Sequence, residues 1–197
     1  MCNIESQGTL LIAIDLGTST MAAEFGKASD TYDATGKLHR KVYPPRIMKD
    51  WPFGLKGDAL GKPCVPTYLI YKKATRKLLY WGFAAQRYLD TSTPKIPPDE
   101  VYVVEHIKLL LPDPDKAIQT TPANVRYKRK REELYQNLQM KPFEVFQDLL
   151  DVSFNAVVYS ALGNFGSFSS YKVELALAFP SGWAEDVHRQ VAETAAS

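Results

Sequence analysis

Three stretches of the sequence predict an α/β fold, with strands near both ends of the chain and a long helix between them. Residues 10–16, LLIAIDL, are apolar except for Asp15, and the run breaks at Gly17. In residues 142–163, Phe143, Phe146, Leu150, Phe154, Val157 and Ala161 recur every three or four positions, which is one face of a helix. In residues 171–179, Tyr171, Val173, Leu175, Leu177 and Phe179 alternate with smaller or charged partners, the period of a strand with one large apolar face.

Bulk composition bounds the rest. A chain of 197 residues that is 45% hydrophobic and 23% charged buries enough for one domain or one large lobe. Its net charge of +2 is too small to point to nucleic acid or a membrane surface. Cys2 and Cys64 form neither a metal-ligand spacing nor a disulfide framework, and no leader pattern opens the chain. The longest apolar runs fall far short of the roughly 20 residues of a membrane helix. The reading expects a soluble protein in a reducing compartment, cytosolic or nuclear, with neither membrane nor nucleic acid as partner.

Along the chain, the unbroken apolar run to Leu16 suits a strand covered on both faces. A second strand is expected over about 20–25. From about 28 to 66 the pattern dissolves into Gly, Pro and charge, with Trp51 and Phe53 as isolated anchors, and an irregular insertion is expected. Strands at 67–72 and 77–81 make a hairpin across Lys73–Arg76, and 83–89 has helical composition. The prolines of 90–100 make a surface loop, while VYVVEHIKLLL (101–111) fits a strand or a helix equally well. Pro142 opens the long helix, Gly163 is expected to end it, and a last helix follows Pro180-Ser181-Gly182 with Glu185 and Asp186 in its first turn.

A strand that ends on Asp and turns through Gly17, Thr18 and Ser19 has the makings of a phosphate site. Turn N–H groups and the two hydroxyls donate to phosphate oxygens, Gly17 allows close approach, and Asp15 holds a hydrated divalent cation. The plain alternative is a hairpin turn capped by an Asp, since these are ordinary turn residues. An unpaired carboxylate on an apolar strand is costly, which favours the first. GDALGKP (57–63) fails as a P-loop, because Lys56 stands where the first Gly belongs and Pro63 replaces the Ser or Thr. The basic run RYKRKREE (126–133) reads as a nuclear address or, more simply, as a solvated helix face. His39, His106 and His188 are scattered without metal-ligand spacing.

IAIDLGTSTMAAEF resembles the first phosphate-binding hairpin of the actin-like ATPase superfamily, and more closely the "GIDLGTT" opening of the 70-kDa heat-shock chaperones. The likeness continues in order. VPTYLIY (65–71) is similar to that family's "TPSYVAF", WGFAAQ (81–86) to "IGDAAK", EHIKLLL (105–111) to "DAKRLIG", and LAFPSGWAEDVHRQVAETAA (177–196) to "VTVPAYFNDSQRQATKDA". The resemblance implies a ribonuclease-H-like, actin-like lobe over residues 8–197 with a central mixed sheet, flanking helices and a helical subdomain at about 112–166. It covers the first lobe only, so a second lobe is expected to be absent and the ATP-binding unit to be incomplete. Gly182-Trp183 and one extra residue before Arg189 mark a divergent member.

The same resemblance implies ATP and Mg²⁺ as cofactors and client or co-chaperone proteins as partners. Asp15 would sit near the Mg²⁺ waters, Gly17, Thr18 and Ser19 would cradle the phosphates, and Lys108 would match the catalytic lysine, facing one phosphate-sized space with Asp15. Pro180 would match a switch proline and Arg189 a relay arginine. For Lys108 the alternative is a lysine lying along an apolar surface. Two rival functions use the same scaffold: a sugar or carboxylate kinase lobe, and a non-enzymatic interaction module that has lost turnover.

Overall fold

The computed structural model describes residues 8–33, 35–52, 62–92, 94–113, 121–165, 171–178, 180 and 183–196. Expectations that fall on 53–61, which hold most of the rejected GDALGKP loop, and on Phe179, Ser181 and Gly182 lie outside the described residues. In chain order the elements are β1 (Gly8–Leu16), β2 (Thr20–Tyr32), β3 (Leu38–Val42), β4 (Arg46–Ile47), β5 (Cys64–Pro66), β6 (Leu69–Lys72), β7 (Lys77–Trp81) and α1 (Gly82–Asp90). A 3₁₀ turn at Pro98–Glu100 leads to β8 (Val101–Val104), α2 (Ile107–Leu110), α3 (Pro122–Leu138), α4 (Pro142–Phe165), β9 (Tyr171–Ala178) and α5 (Glu185–Ala196).

The expected α/β class is the one observed: a central mixed sheet with helices packed on it. β1 lies in the middle, antiparallel to β2 with Leu16 opposite Met21, and parallel to β9 with Asp15 opposite Ala178. The order is β3-β2-β1-β9, and β4 and β5 also pair with β2. Leu10, Ile12, Ile14 and Leu16 point to one side and are buried, while Ala13 and Asp15 on the other side are exposed. The strand is therefore covered on one face, not two. Alternation along β1 places Leu11, Ala13 and Asp15 on a face that borders an open cavity of about 390 Å³.

The stretch from 28 to 66 is more regular than its composition implies. β2 runs on to Tyr32, and Asp33 builds the tip that turns it into β3. One carboxylate oxygen accepts from the Thr35 amide and hydroxyl and from the Lys37 amide, and the other pairs with the His39 ring at 2.9 Å. Such Asp-centred turns need only short-range geometry, which a scan for apolar periodicity does not register. VYVVEHIKLLL is both things in turn: β8, then α2, separated at His106 by a left-handed backbone.

α4 is the main helix of the core. Lys141 N–H is accepted by the Glu144 carboxylate at its start. Its buried stripe runs through Val145, Phe146, Leu149, Leu150, Ser153, Ala156, Val157 and Ala161. Phe143 and Phe154, expected at the centre of that face, lie at its margins, partly buried. Each large apolar side chain so buried contributes about 1.5–3 kcal/mol relative to exposure. The helix continues through Gly163 to Phe165, because Phe165 packs edge-on against Phe25 with centroids 5.9 Å apart and Arg46 donates to the Asn164 side chain. Those tertiary contacts override the local stop signal.

A second sheet, β7-β6-β8, carries α1. Leu69, Ile70 and Tyr71 of β6 are fully buried, and the Tyr71 hydroxyl donates to Asp148 of α4 at 2.7 Å, tying the small sheet to the main helix. Burial pushes the Asp148 carboxyl above its ordinary range and the Tyr71 phenol well above its own. The basic run lies on α3, capped by Thr121, whose hydroxyl accepts from the Asn124 amide at 3.2 Å. Arg129 pairs with Glu133, and Arg131 donates to the Pro112 carbonyl. Among the described residues no helix is long and apolar enough to cross a membrane.

Candidate functional site

The β1–β2 hairpin is the site the sequence singles out, and its geometry begins with Gly17. A Cβ placed there would lie 2.5 Å from the carbonyl oxygen of Thr20, so only glycine lets the turn close on itself. The glycine is required by the turn's own backbone, as a residue that breaks an apolar strand into a tight turn. The Thr18 and Ser19 side chains are exposed, and among the described residues neither hydroxyl has a hydrogen-bond partner.

Three residues from two distant segments hold this turn by its carbonyls. The Thr67 amide donates to the Ser19 carbonyl at 3.0 Å, and the Thr67 hydroxyl donates to the Thr18 carbonyl at 3.3 Å. Thr67 is 1% exposed, a polar side chain buried for this purpose. The His106 Nδ1 lies 3.2 Å from the same Thr18 carbonyl, which requires the proton on Nδ1. His106 reaches it from a left-handed backbone with φ 55°, strained for a residue with a side chain. The Lys108 ammonium donates to the Leu16 carbonyl.

Pinning those carbonyls orients the amides. Among the described residues all peptide bonds are trans, and in a trans peptide the N–H points opposite to the C=O of the same plane. With the Thr18 and Ser19 carbonyls turned to Thr67 and His106, the N–H groups of Ser19 and Thr20 are aimed the other way. Two directed amides beside two unpartnered hydroxyls are donors of the kind that can receive an anion.

The remaining predicted residues are placed as follows. Asp15 is exposed, flanked across the sheet by the small residues Ala22 and Ala178, and among the described residues its carboxylate makes no hydrogen bond or ion pair. Its side chain belongs to the open face of the sheet. Lys108 arrives on the covered face, beside Ile14, Leu16, Met21 and Phe146, where the space left is only about 10 Å³. That volume holds at most one water. The structure thus brings Lys108 to the hairpin but puts Asp15 and Lys108 on opposite faces, correcting the expectation that they face one space. With EHIKLLL laid against "DAKRLIG" end to end, the family's lysine stands opposite Ile107, which is buried, and Lys108 stands opposite its arginine.

Pro180 marks the passage from β9 to α5: its carbonyl accepts from the Trp183 amide at 3.2 Å and lies 3.1 Å from His188 Nε2. Arg189 is exposed on α5. Thr67 and His106 are the residues that sequence reasoning missed. VPTYLIY contained Thr67 without marking it, and no spacing links His106 to a turn 88 residues earlier. Among the described residues no group of three or more His, Cys, Asp or Glu is placed to hold a metal. A single free carboxylate at the hairpin fits a cation such as Mg²⁺ that keeps most of its waters and takes its other ligands from a phosphate.

No family model matches this chain, and no curated protein matches it. Among solved structures it is similar to MreB5 of Spiroplasma citri bound to ADP, at 18% identity and a TM-score of 0.44. It is also similar to MreB5 of the same organism bound to AMPPNP, at 16% identity and a TM-score of 0.42. Each alignment covers 95% of this chain and 35% of the neighbour, so the chain spans about a third of their length.

Proposed function

We propose that this chain is a nucleotide-binding lobe of the actin-like ATPase kind, a divergent relative of the 70-kDa heat-shock chaperones, that holds the phosphates of ATP on the Gly17–Ser19 hairpin. The observation that carries this reading is the turned hairpin itself. Its carbonyls are occupied by Thr67, His106 and Lys108, leaving the Ser19 and Thr20 amides and the Thr18 and Ser19 hydroxyls directed elsewhere. The ordered resemblance of five segments supplies the nucleotide and the finer family.

In this role the hairpin binds and orients the terminal phosphates, and Asp15 would hold a hydrated Mg²⁺ that would offset phosphate charge. Lys108, proposed from the resemblance to stabilise charge on a transferring phosphoryl, here positions the turn from behind and adds its positive charge there. To touch a phosphate it would first have to release the Leu16 carbonyl. Contacts confined to phosphates in an open site gain about 1 kcal/mol each, most of which the entropy of association consumes. Binding by the 197-residue chain is accordingly weak and turnover no faster than in buffer.

Titration with Mg·ATP, followed by amide chemical shifts and a phosphate-release assay, tests the reading. Shifts of the Ser19 and Thr20 amides at millimolar nucleotide that vanish in Thr18→Glu support it. Unmoved hairpin amides would overturn it. Micromolar affinity with turnover abolished by Lys108→Ala would overturn the phosphate-only form and restore the lysine to catalysis.

A further inference from the structure

Away from the hairpin, a groove of about 490 Å³ opens between β7, α1 and the loop that follows α1. That is within the range of small-molecule sites, roughly 300–1,000 Å³. Its wall is aromatic. Tyr80 and Tyr88 are stacked with centroids 5.5 Å apart and planes at 25°, and Trp81 and Pro94 line it beside them. The loop side is fixed, because the Tyr88 hydroxyl donates to the Ile96 carbonyl at 2.8 Å. The shelf is held by the fold and does not depend on a ligand to form.

The charge on the rim has one sign. Arg87 and Lys95 line the groove, and none of its lining residues is acidic. Asp99 and Glu100 act on Tyr88 from outside that lining, and Glu100 lies 3.9 Å from Lys72. Among the described residues neither the Lys95 ammonium nor the Tyr80 hydroxyl has a partner. A flat aromatic body stacks on tyrosine, and a cation at the rim favours a negative substituent.

We infer that this groove is a second binding site, for a small planar aromatic anion, with Tyr80 and Tyr88 as its shelf and Lys95 and Arg87 meeting the negative group. The cavity on the open face of the central sheet is lined by Glu24 and Glu174 and by no cation, Glu174 being paired from outside that lining with Arg40 at 2.9 Å and Lys172 at 3.1 Å. An anion therefore distinguishes the two, whereas a neutral aromatic does not.

The test uses naphthalenesulfonate and its neutral counterpart naphthalenemethanol, titrated into the full chain and followed by amide chemical shifts. The sulfonate is expected to saturate one site, moving Tyr80, Ala84 and Thr91, and to bind at least about fivefold more tightly than the alcohol, the scale of one exposed charge contact. Lys95→Glu should weaken the sulfonate by about fivefold or more and leave the alcohol unchanged. Lys95 is exposed, so the melting temperature should hold. Arg87→Gln should shift the sulfonate in the same direction. Equal affinity for the two probes, shifts centred on Ala13 and Ala176, or indifference to Lys95→Glu would each overturn the assignment.

Discussion

The Lys108 ammonium donates to the carbonyl oxygen of Leu16, 92 residues earlier, at the point where β1 gives way to the turn. A half-buried cation with a backbone acceptor makes a charge-assisted bond, stronger than a neutral one. Lys108→Met keeps the apolar stem and removes the donor. It is expected to destabilise the fold by about 1.5–3 kcal/mol, read as a lower urea midpoint. Amide exchange at 18–20 should quicken more than in α4. An unchanged midpoint would show that the ammonium only rests on that carbonyl.

Gly17 and Gly163 separate two meanings of one residue type. Gly17→Ala forces a Cβ to 2.5 Å from a backbone oxygen that cannot rotate away, whereas nothing lies within 4 Å of a Cβ at Gly163. The first substitution should cost about 1–3 kcal/mol. The second sits inside α4 and should stabilise by about 0.5–1 kcal/mol. Equal effects in chemical denaturation would contradict the turn geometry.

His106 tests whether strain is tolerated for a contact. Both Ala and Gly remove the ring that meets the Thr18 carbonyl, but only Gly accepts φ 55° without penalty. His106→Ala is therefore expected to be less stable than His106→Gly by about 1 kcal/mol. Thermal melts of the pair decide it, and Ala equal to or above Gly would show that the left-handed backbone relaxes.

Two carboxylates should give opposite pH signatures. Hydrogen bonds from the Thr35 hydroxyl, His39 and the Lys37 and Thr35 amides hold Asp33 below its ordinary value of 3.8. Its contribution is present above that value and fades as pH falls below it. Burial raises Asp148, so its contribution is complete below 3.8 and is lost as pH climbs through the raised value. Asp33→Ala should flatten the acid loss of stability, and Asp148→Asn should gain on the parent as pH goes from about 4 to about 7. In Tyr71→Phe the Asp148 carboxyl should titrate higher still, because the phenol's hydrogen bond holds it down. A carboxyl resonance that moves downward would reverse this account.

The sequence by itself determined the elements whose pattern is local. The apolar run of β1, the β6–β7 hairpin, the stripe of α4 and the alternation of β9 are each written in spacing, because burial on one face imposes its period on a helix or strand. It also located the hairpin, since Asp, Gly and two hydroxyl residues after an apolar strand are chemically conspicuous. Tertiary structure decided what spacing does not encode. Phe25 and Arg46 carry α4 past Gly163, and the Asp33 carboxylate organises a turn where composition showed only irregularity. Alternation along β1 sends Asp15 to the face opposite Lys108, and Thr67 and His106 turn the hairpin's carbonyls inward. The extension of α4 and the turning of the hairpin's carbonyls rest on contacts between residues far apart in the chain. Such a contact depends on where two elements pack, a quantity that neither residue's neighbours in sequence contain.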